Sequence, residues 1–399
     1  MSVCRVEVAE VDYSNDPGHI VPVNTVAGII SISVTLSITG HQTFEMVAGS
    51  AEWKKAIEFT VQPWIIVKIQ RGSHRDWAAF IVQKTVYQQN TVTVSGTDPY
   101  YQLDNLLPVK RVTDSANSLQ FGVTPNVNHI RFGYDSHALA STVINNVIQK
   151  IYVTGHTLSP ELHDWLFFPF DDDVYGAVFK NASIHDYEAV AAFPKLWNVL
   201  SANGMGVLQA PYVQEGSWYE PHLYVISGTV STYPVTSATA FKGSQATRDT
   251  STTVDFVYVL GYRDDGTGFT CRKVGARSNK VGTIIENIPS DITTDSDVAS
   301  YLDAKGLDYL YSHRDLTSYR ITVPGTAYMG IPNPRDDKEK DRSKVFSIYL
   351  GSWVDVETPI DTVHAQVVQS VETFKAGVST VELTVGTVRP SNIALYNLR

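Results

Sequence analysis

The chain has 399 residues, enough for several domains, and its 43% hydrophobic and 18% charged composition excludes a disordered chain. Its formal net charge of −10 disfavours a nonspecific grip on nucleic acid, because neutralising phosphates takes Lys and Arg. Cys4 and Cys271 are the only cysteines, far apart and in no Cys-x-x-Cys pair, so neither a disulfide framework nor a zinc site is expected. Both are read as buried free thiols in a protein assembled in a reducing cytoplasm.

The opening Met1–Tyr13 lacks the basic region and apolar stretch of a signal peptide, and the longest apolar runs, such as Trp64–Val67, are too short to span a bilayer. Ile29–Ile38 alternates apolar and polar residues as a half-buried strand does. Ala78–Tyr87 repeats the pattern with Phe80, Val82 and Val86 on one face, and Thr91–Ser95 follows after a polar turn. Gly96-Thr97-Asp98-Pro99 then breaks the alternation. Short strands at this spacing predict a small antiparallel barrel or sandwich.

Beyond Leu103 the period changes. Asp135 or Ser136 can cap a helix in which Leu139, Val143, Val147 and Ile151 recur at every fourth residue until Gly155. A second helical stretch starts near Ile184 and stops at Asn203-Gly204, with Pro194 inside it. Strand patterns return at Tyr219–Ser227 and Val254–Tyr262, and Asp264-Asp265-Gly266 is a hairpin turn signal. Thr294-Asp295-Ser296-Asp297 reads as a capping box with Asp in the Glu position, opening a third helix of about four turns. Strands are expected again at Ser318–Val323, Phe346–Val356, Val363–Val371 and Val378–Val385, with a charged, solvated loop over Ile331–Ser343. No short-period repeat is visible.

Chemistry is sparse. There is no phosphate-binding Gly-rich motif, no His-Glu-x-x-His and no Gly-x-Ser-x-Gly. Asp171-Asp172-Asp173 supplies three carboxylates, but neighbouring strand positions point to opposite faces, so a solvated turn is expected there rather than a calcium site. Asp336 and Asp337 are offset by Lys338, Lys340 and Arg342. His129, His137, His156 and His163 lack the spacing of ligands on one helix face. The aromatic clusters Trp165-Leu166-Phe167-Phe168 and Trp218-Tyr219 are read as core or interface packing ahead of sugar platforms. No catalytic, cofactor-binding or metal-binding residue is assigned, and the chain is read as a non-enzyme. A carbohydrate-active enzyme, needing two carboxylates about 5–10 Å apart in a cleft, ranks last.

The order of elements resembles the baseplate hub, or tail-associated (Tal-like), proteins of tailed phages. The resemblance is carried by Val92-Thr93-Val94-Ser95-Gly96-Thr97-Asp98 leading to Leu103 and Leu106-Leu107. It continues in Ile292-Thr293-Thr294-Asp295, a helix to about Tyr311, and Arg320-Ile321-Thr322-Val323. The ending carries most of it: Leu350-Gly351-Ser352-Trp353-Val354-Asp355-Val356, then Val367–Glu372, then Glu382-Leu383-Thr384-Val385-Gly386-Thr387-Val388-Arg389. The charged loop over 331–343 departs from the family, where a shorter turn is usual.

The resemblance implies a mainly β, α+β chain: two small antiparallel, tail-tube-like β-barrels and a peripheral helix-containing α/β domain. The expected division is 1–105 for the N-terminal barrel, 106–205 for the peripheral domain, 206–315 for a mixed β segment with one helix, and 316–399 for the C-terminal barrel segment. It also implies a homotrimer around the tail channel, whose six barrels adapt a sixfold distal tail ring to a threefold tip. The implied partners are that ring, the C-terminus of the tape measure protein and tail fibre or central spike proteins. DNA would pass through the channel without sequence-specific binding. The implied location is the virion tail tip, after assembly in the host cytoplasm. Because the chain stops soon after Arg389, cell-wall hydrolysis is expected from a separate protein. The alternative is a receptor- or carbohydrate-binding tail protein.

Overall fold

A computed structural model describes residues 2–12, 19–38, 40–71, 74–99, 101, 253–263, 266, 270–276, 280–288, 292–313, 316–325, 327–328, 330, 348–357 and 362–386, with short strand segments between 112 and 249. The first stretch is β1 (Ser2–Asp12), β2 (His19–Thr25), β3 (Ile29–Ser37), β4 (Thr43–Gly49), α1 (Ser50–Ala56), β5 (Trp64–Arg71), β6 (His74–Tyr87) and β7 (Thr91–Thr97). The alternation of Ile29–Ile38 is β3, with Ile32, Val34 and Leu36 buried. The run Trp64–Val67 is buried on both faces of β5, which is why it reads as continuously apolar.

Two expectations change here. A bulge between Val82 and Lys84 turns β6 over, so Phe80 is fully buried while Val86 is 39% exposed; the two do not share a face. The break expected at Gly96 is not a strand end, since β7 runs through Gly96 to Thr97. Helix α1 has no counterpart in the sequence reading. It is seven residues long, its N-cap Gly49 makes no side-chain cap bond, and it buries only Trp53 and Ala56, too little to show a period.

Four two-residue strands follow: β8 (Val112–Thr113), β9 (Leu119–Gln120), β10 (His129–Ile130) and β11 (Tyr187–Glu188). The helices expected at 137–152 and 184–203 lie outside the described residues, except that Tyr187 and Glu188 pair with Ile130 and His129 as a β-ladder and so belong to no helix. Next come β12 (Met205–Gln209), β13 (Gln214–Glu215), β14 (Trp218–Tyr219), β15 (Leu223–Ser227), β16 (Tyr233–Val235) and β17 (Gln245–Asp249). Tyr219–Ser227 is thus two strands in two sheets.

A small separate sheet holds β18 (Phe256–Tyr262) between β19 (Thr270–Gly275) and β20 (Val281–Asn287), covered on one face by α2 (Asp295–Ser312). The turn after Tyr262 is formed as expected: Gly266 takes φ 72° and donates its N–H to the Arg263 carbonyl. Thr294 caps α2 by accepting from the Asp297 N–H at 3.2 Å. At 18 residues α2 is five turns, longer than the four expected, because apolar contacts continue to Tyr309 and Leu310.

The chain returns to the main sheet with β21 (Leu316–Pro324), β22 (Trp353–Glu357), β23 (Thr362–Lys375) and β24 (Val378–Gly386). The strand expected from Phe346 starts only at Trp353, because Gly351 takes φ 84° in a turn. The charged loop over 331–343 lies outside the described residues. β23 and β24 are joined by the two-residue loop Ala376-Gly377, both at positive φ (50° and 76°). This is the geometry of a type I′ hairpin turn, which favours Asn-Gly over Ala-Gly. Ala376→Asn is expected to raise unfolding stability by about 1 kcal/mol, read as a higher urea midpoint at unchanged slope.

The main sheet has 15 strands, with the ladder order β13-β14-β2-β1-β5-β6-β7-β4-β3-β23-β24-β21-β17 and with β16 and β22 beside it. It is antiparallel apart from the β16–β22 pair, and among the described residues the ladder does not return to its start. Within it one five-strand order occurs twice. β5-β6-β7-β4-β3 is repeated as β22-β23-β24-β21-β17.

The correspondence holds residue by residue. Ile81 pairs with Trp64 as Gln366 pairs with Trp353. Both 14-residue strands then bulge, so that Val82 and Lys84 face Gly96 and Ser95 as Val367 and Gln369 face Val385 and Thr384. Phe44, Met46 and Ala48 of β4 take the places of Tyr319, Ile321 and Val323 of β21. In the first unit β3 and β4 form a hairpin. In the second, the β18–β20 sheet and α2 are inserted between β17 and β21.

Candidate functional site: the joint between the two units

The two units meet where β3 of the first pairs with β23 of the second, from Ser37↔Gln369 to Ser31↔Lys375. β24 pairs with the same stretch of β23, so β3 lies on the opposite edge, just beyond Gln366 where β22 ends. On the outer side of the joint the Ser33 and Thr373 hydroxyls bond at 2.9 Å.

The inner side is unusual. Glu372 sits opposite Val34 and Val381, and Ser370 opposite Leu36 and Leu383, so two polar residues occupy a row of apolar ones. Both are buried. The Arg71 guanidinium at the end of β5 bonds the Glu372 carboxylate, and both side chains are 3% exposed. β5 and β23 are separated along the ladder by β6, β7, β4 and β3, so this contact requires the sheet to curl until its interior side chains meet. Ser379 donates to the other Glu372 oxygen at 3.1 Å. The Tyr328 ring lies 5.4 Å from the Arg71 guanidinium carbon, and its hydroxyl bonds the Ser370 hydroxyl at 2.6 Å. Each charge in this seam has a partner, which burial demands.

Cys4 of β1 lies beside the pair. Burial, reinforced by the Glu372 charge and opposed by Arg71, pushes its thiol up to about 12. At neutral pH it is a protonated packing residue with no nucleophilic role.

A second buried polar cluster fixes the end of β7 to the start of β4. The Asp98 carboxylate accepts the Gln42 N–H at 2.5 Å and meets the His41 ring nitrogen at 2.9 Å, and the Asp98 N–H donates to the Gln42 carbonyl at 3.0 Å. Gly96-Thr97-Asp98, expected to break the strand pattern, therefore ends in a side chain that ties two neighbouring strands together.

Asp171–Asp173, His137, His156, His163, Trp165–Phe168, Asp336 and Asp337 lie outside the described residues. Tyr219 is 1% exposed, edge-on to Trp77 at 4.8 Å and under the Lys68 ammonium at 4.9 Å, so it is core and not a sugar platform. Lys68 in turn holds Glu7 at 2.7 Å. No group of three or more His, Cys, Asp or Glu gathers as a metal site among the described residues. No helix among them is long and apolar enough to cross a membrane. Cys271 corrects the expectation of two buried thiols. It is free but exposed, because it lies on the face of β19 turned away from α2, one residue from Arg272, which reaches Asp303 of that helix at 2.9 Å. Sequence reasoning had no signal for the seam, whose two charged partners are 301 positions apart.

No protein-family model matches the sequence, and no curated protein matches it. Solved structures do. The 43 kDa tail protein of prophage MuSo2 from Shewanella oneidensis is 12% identical, with a TM-score of 0.50 over 97% of this chain and 98% of its own. A tail protein from Neisseria meningitidis MC58 is 12% identical, with a TM-score of 0.49 over 96% of each chain. The prophage tail protein gp18 from Listeria monocytogenes EGD-e is 10% identical, with a TM-score of 0.44 over 96% and 95%. The fold of this chain, over nearly its whole length, is therefore similar to that of a phage tail protein.

Proposed function

We propose that this chain is a structural, non-enzymatic subunit of a phage tail tip: a baseplate hub that forms a trimer around the tail channel. The observation that carries the reading is the end-to-end likeness in fold to the MuSo2 tail protein, over 97% of this chain and 98% of that one. The repeated five-strand order adds to it. β3–β7 fall within the N-terminal barrel expected over 1–105, while β17 and β21–β24 form the second unit, interrupted by the β18–α2 insertion. Three copies of a two-unit chain make a ring of six similar units, which suits a threefold tip docked on a sixfold distal ring. In that setting the tape measure protein and the fibre or spike proteins are its neighbours in the virion. DNA passes through a channel whose walls, on a chain of net charge −10, do not bind it. The sugar-binding alternative loses the Tyr219 platform, which is buried.

The test is the mass in solution. Light scattering on the purified chain is expected to give three times the 44.1 kDa chain mass. A species that stays monomeric up to millimolar concentration would sink the hub reading.

A further inference from the structure

The joint between the two units is built once within the chain, but the repeat provides the parts for it a second time. On β23, the edge opposite β24 beyond the end of β22 is filled by β3. On β6, the equivalent edge lies opposite β7, beyond Ile81 where β5 ends, and no strand among the described residues pairs with it. The strand equivalent to β3 is β17, which ends the ladder: its one partner among the described residues is β21. Among the described residues, one chain therefore carries an open slot at one place and an open strand of the matching type at another.

The exposure of β6 agrees with a missing neighbour. Counting from the shared bulge, Val86 and Tyr87 correspond to Val371 and Glu372. Glu372, beneath β3, is 2% exposed; Tyr87 is 50% exposed and Val86 39%. These are two of the large apolar side chains left at the surface of the main sheet, and they fall in the stretch that the repeat says should be covered.

We propose that β17 of one copy of this chain adds antiparallel to residues 82–87 of β6 in the next copy, reproducing between chains the β3–β23 joint found within each. This rests on the ring reading above and deepens it by naming the surfaces. The contact is head-to-tail, because slot and strand are different parts of the chain, so successive joints propagate around a ring. The backbone edge supplies the hydrogen bonds, as in strand addition generally.

The register follows from the internal joint. Thr35 is equivalent to Thr247 and Ser37 to Asp249, through their partners on β4 and β21. Thr35 pairs with Val371 and Ser37 with Gln369, whose equivalents on β6 are Val86 and Lys84. Transferring the pairing puts Thr247 opposite Val86 and Asp249 opposite Lys84. Backbone register alone thus sets an aspartate against the exposed Lys84, a favoured cross-strand pair.

The experiment is a charge swap read by light scattering. Lys84→Glu and Asp249→Lys, made separately, place like charges opposite each other and are expected to weaken association at least about tenfold, with circular dichroism unchanged. The double variant restores opposite charges and is expected to associate as the natural chain does. As a second measurement that leaves the charges alone, Val86→Cys with Thr247→Cys, in a chain carrying Cys4→Ser and Cys271→Ser, is expected to form disulfide-linked dimers and trimers on non-reducing gels. Either cysteine alone is expected to form none. If the natural chain associates but neither swap weakens it and no cross-link forms, the joint is wrong and the hub reading stands. If the single swaps weaken association and the double fails to restore it, the register is overturned. A natural chain that never associates overturns the hub reading and the joint together.

Discussion

Gly96→Ala is expected to lower unfolding stability by about 3 kcal/mol, and Gly96→Val to leave no soluble folded protein. A Cβ at position 96 would lie 2.0 Å from the Ile81 carbonyl oxygen and 2.8 Å from the Phe44 ring. The first of these is backbone, held where β6 pairs with β5 on one side and β7 on the other, so it has nowhere to go. The second belongs to a ring packed 5.1 Å from that of Phe80, fully inside the core. The second unit shows that the fold as such does not require glycine here. Its equivalent residue is Val385, fully buried, and the residue facing it is Tyr319 in place of Phe44. The demand is therefore local to the first unit. Urea unfolding checks it: an alanine variant with the natural midpoint would show that β6 can retreat at its bulge.

Where the sequence carried a period or a cap, the structure could be read from it. Val381, Leu383 and Val385 alternate with Glu382 and Thr384, and β24 buries the first three. Thr294 caps the helix it was expected to cap. What defeated the reading was geometry that leaves no composition behind. The bulge in β6 reverses which residues face the core, so Val86 reads as core and lies outside. The bulge in β23 does the same in reverse: Val367 and Val368 are both buried, and the core positions beyond them fall on Ser370 and Glu372 rather than Val371.

The duplication was invisible for a related reason. Equivalent positions share phase and register but seldom identity. Trp64 and Trp353 agree, whereas Gly96 stands for Val385, Phe44 for Tyr319 and Tyr87 for Glu372. The repeat is kept only in which residues pair across strands, and that pairing leaves no mark on residue identity. The seam is further still from sequence. An Arg ending one strand and a Glu in the middle of another become partners only because the sheet curls, and neither type is expected inside a core unless paired.

That pairing makes the second large effect. Glu372→Leu alone is expected to destabilise the chain by about 3–5 kcal/mol, because it leaves the Arg71 charge buried at 3% exposure without its carboxylate. Arg71→Leu alone takes the guanidinium away from the buried Glu372 carboxylate, which faces Val34 and Val381, and is expected to cost about as much. The two changes together remove both desolvation costs and put apolar side chains into an apolar row, so the double variant is expected near the natural stability or above it. The resulting coupling of several kcal/mol, far above the few tenths found between independent sites, is the signature of one shared interaction. The measurement is a double-mutant cycle by urea unfolding. Additive single effects would mean that the two side chains do not share a seam, and that the curl of the sheet is held by its apolar interior alone. If the pair instead specifies how the units meet, the double variant stays stable but loses definition at the joint. Amide exchange along Gln369–Lys375 of β23 should then quicken although the urea midpoint does not fall, whereas a merely stabilising pair would change both together.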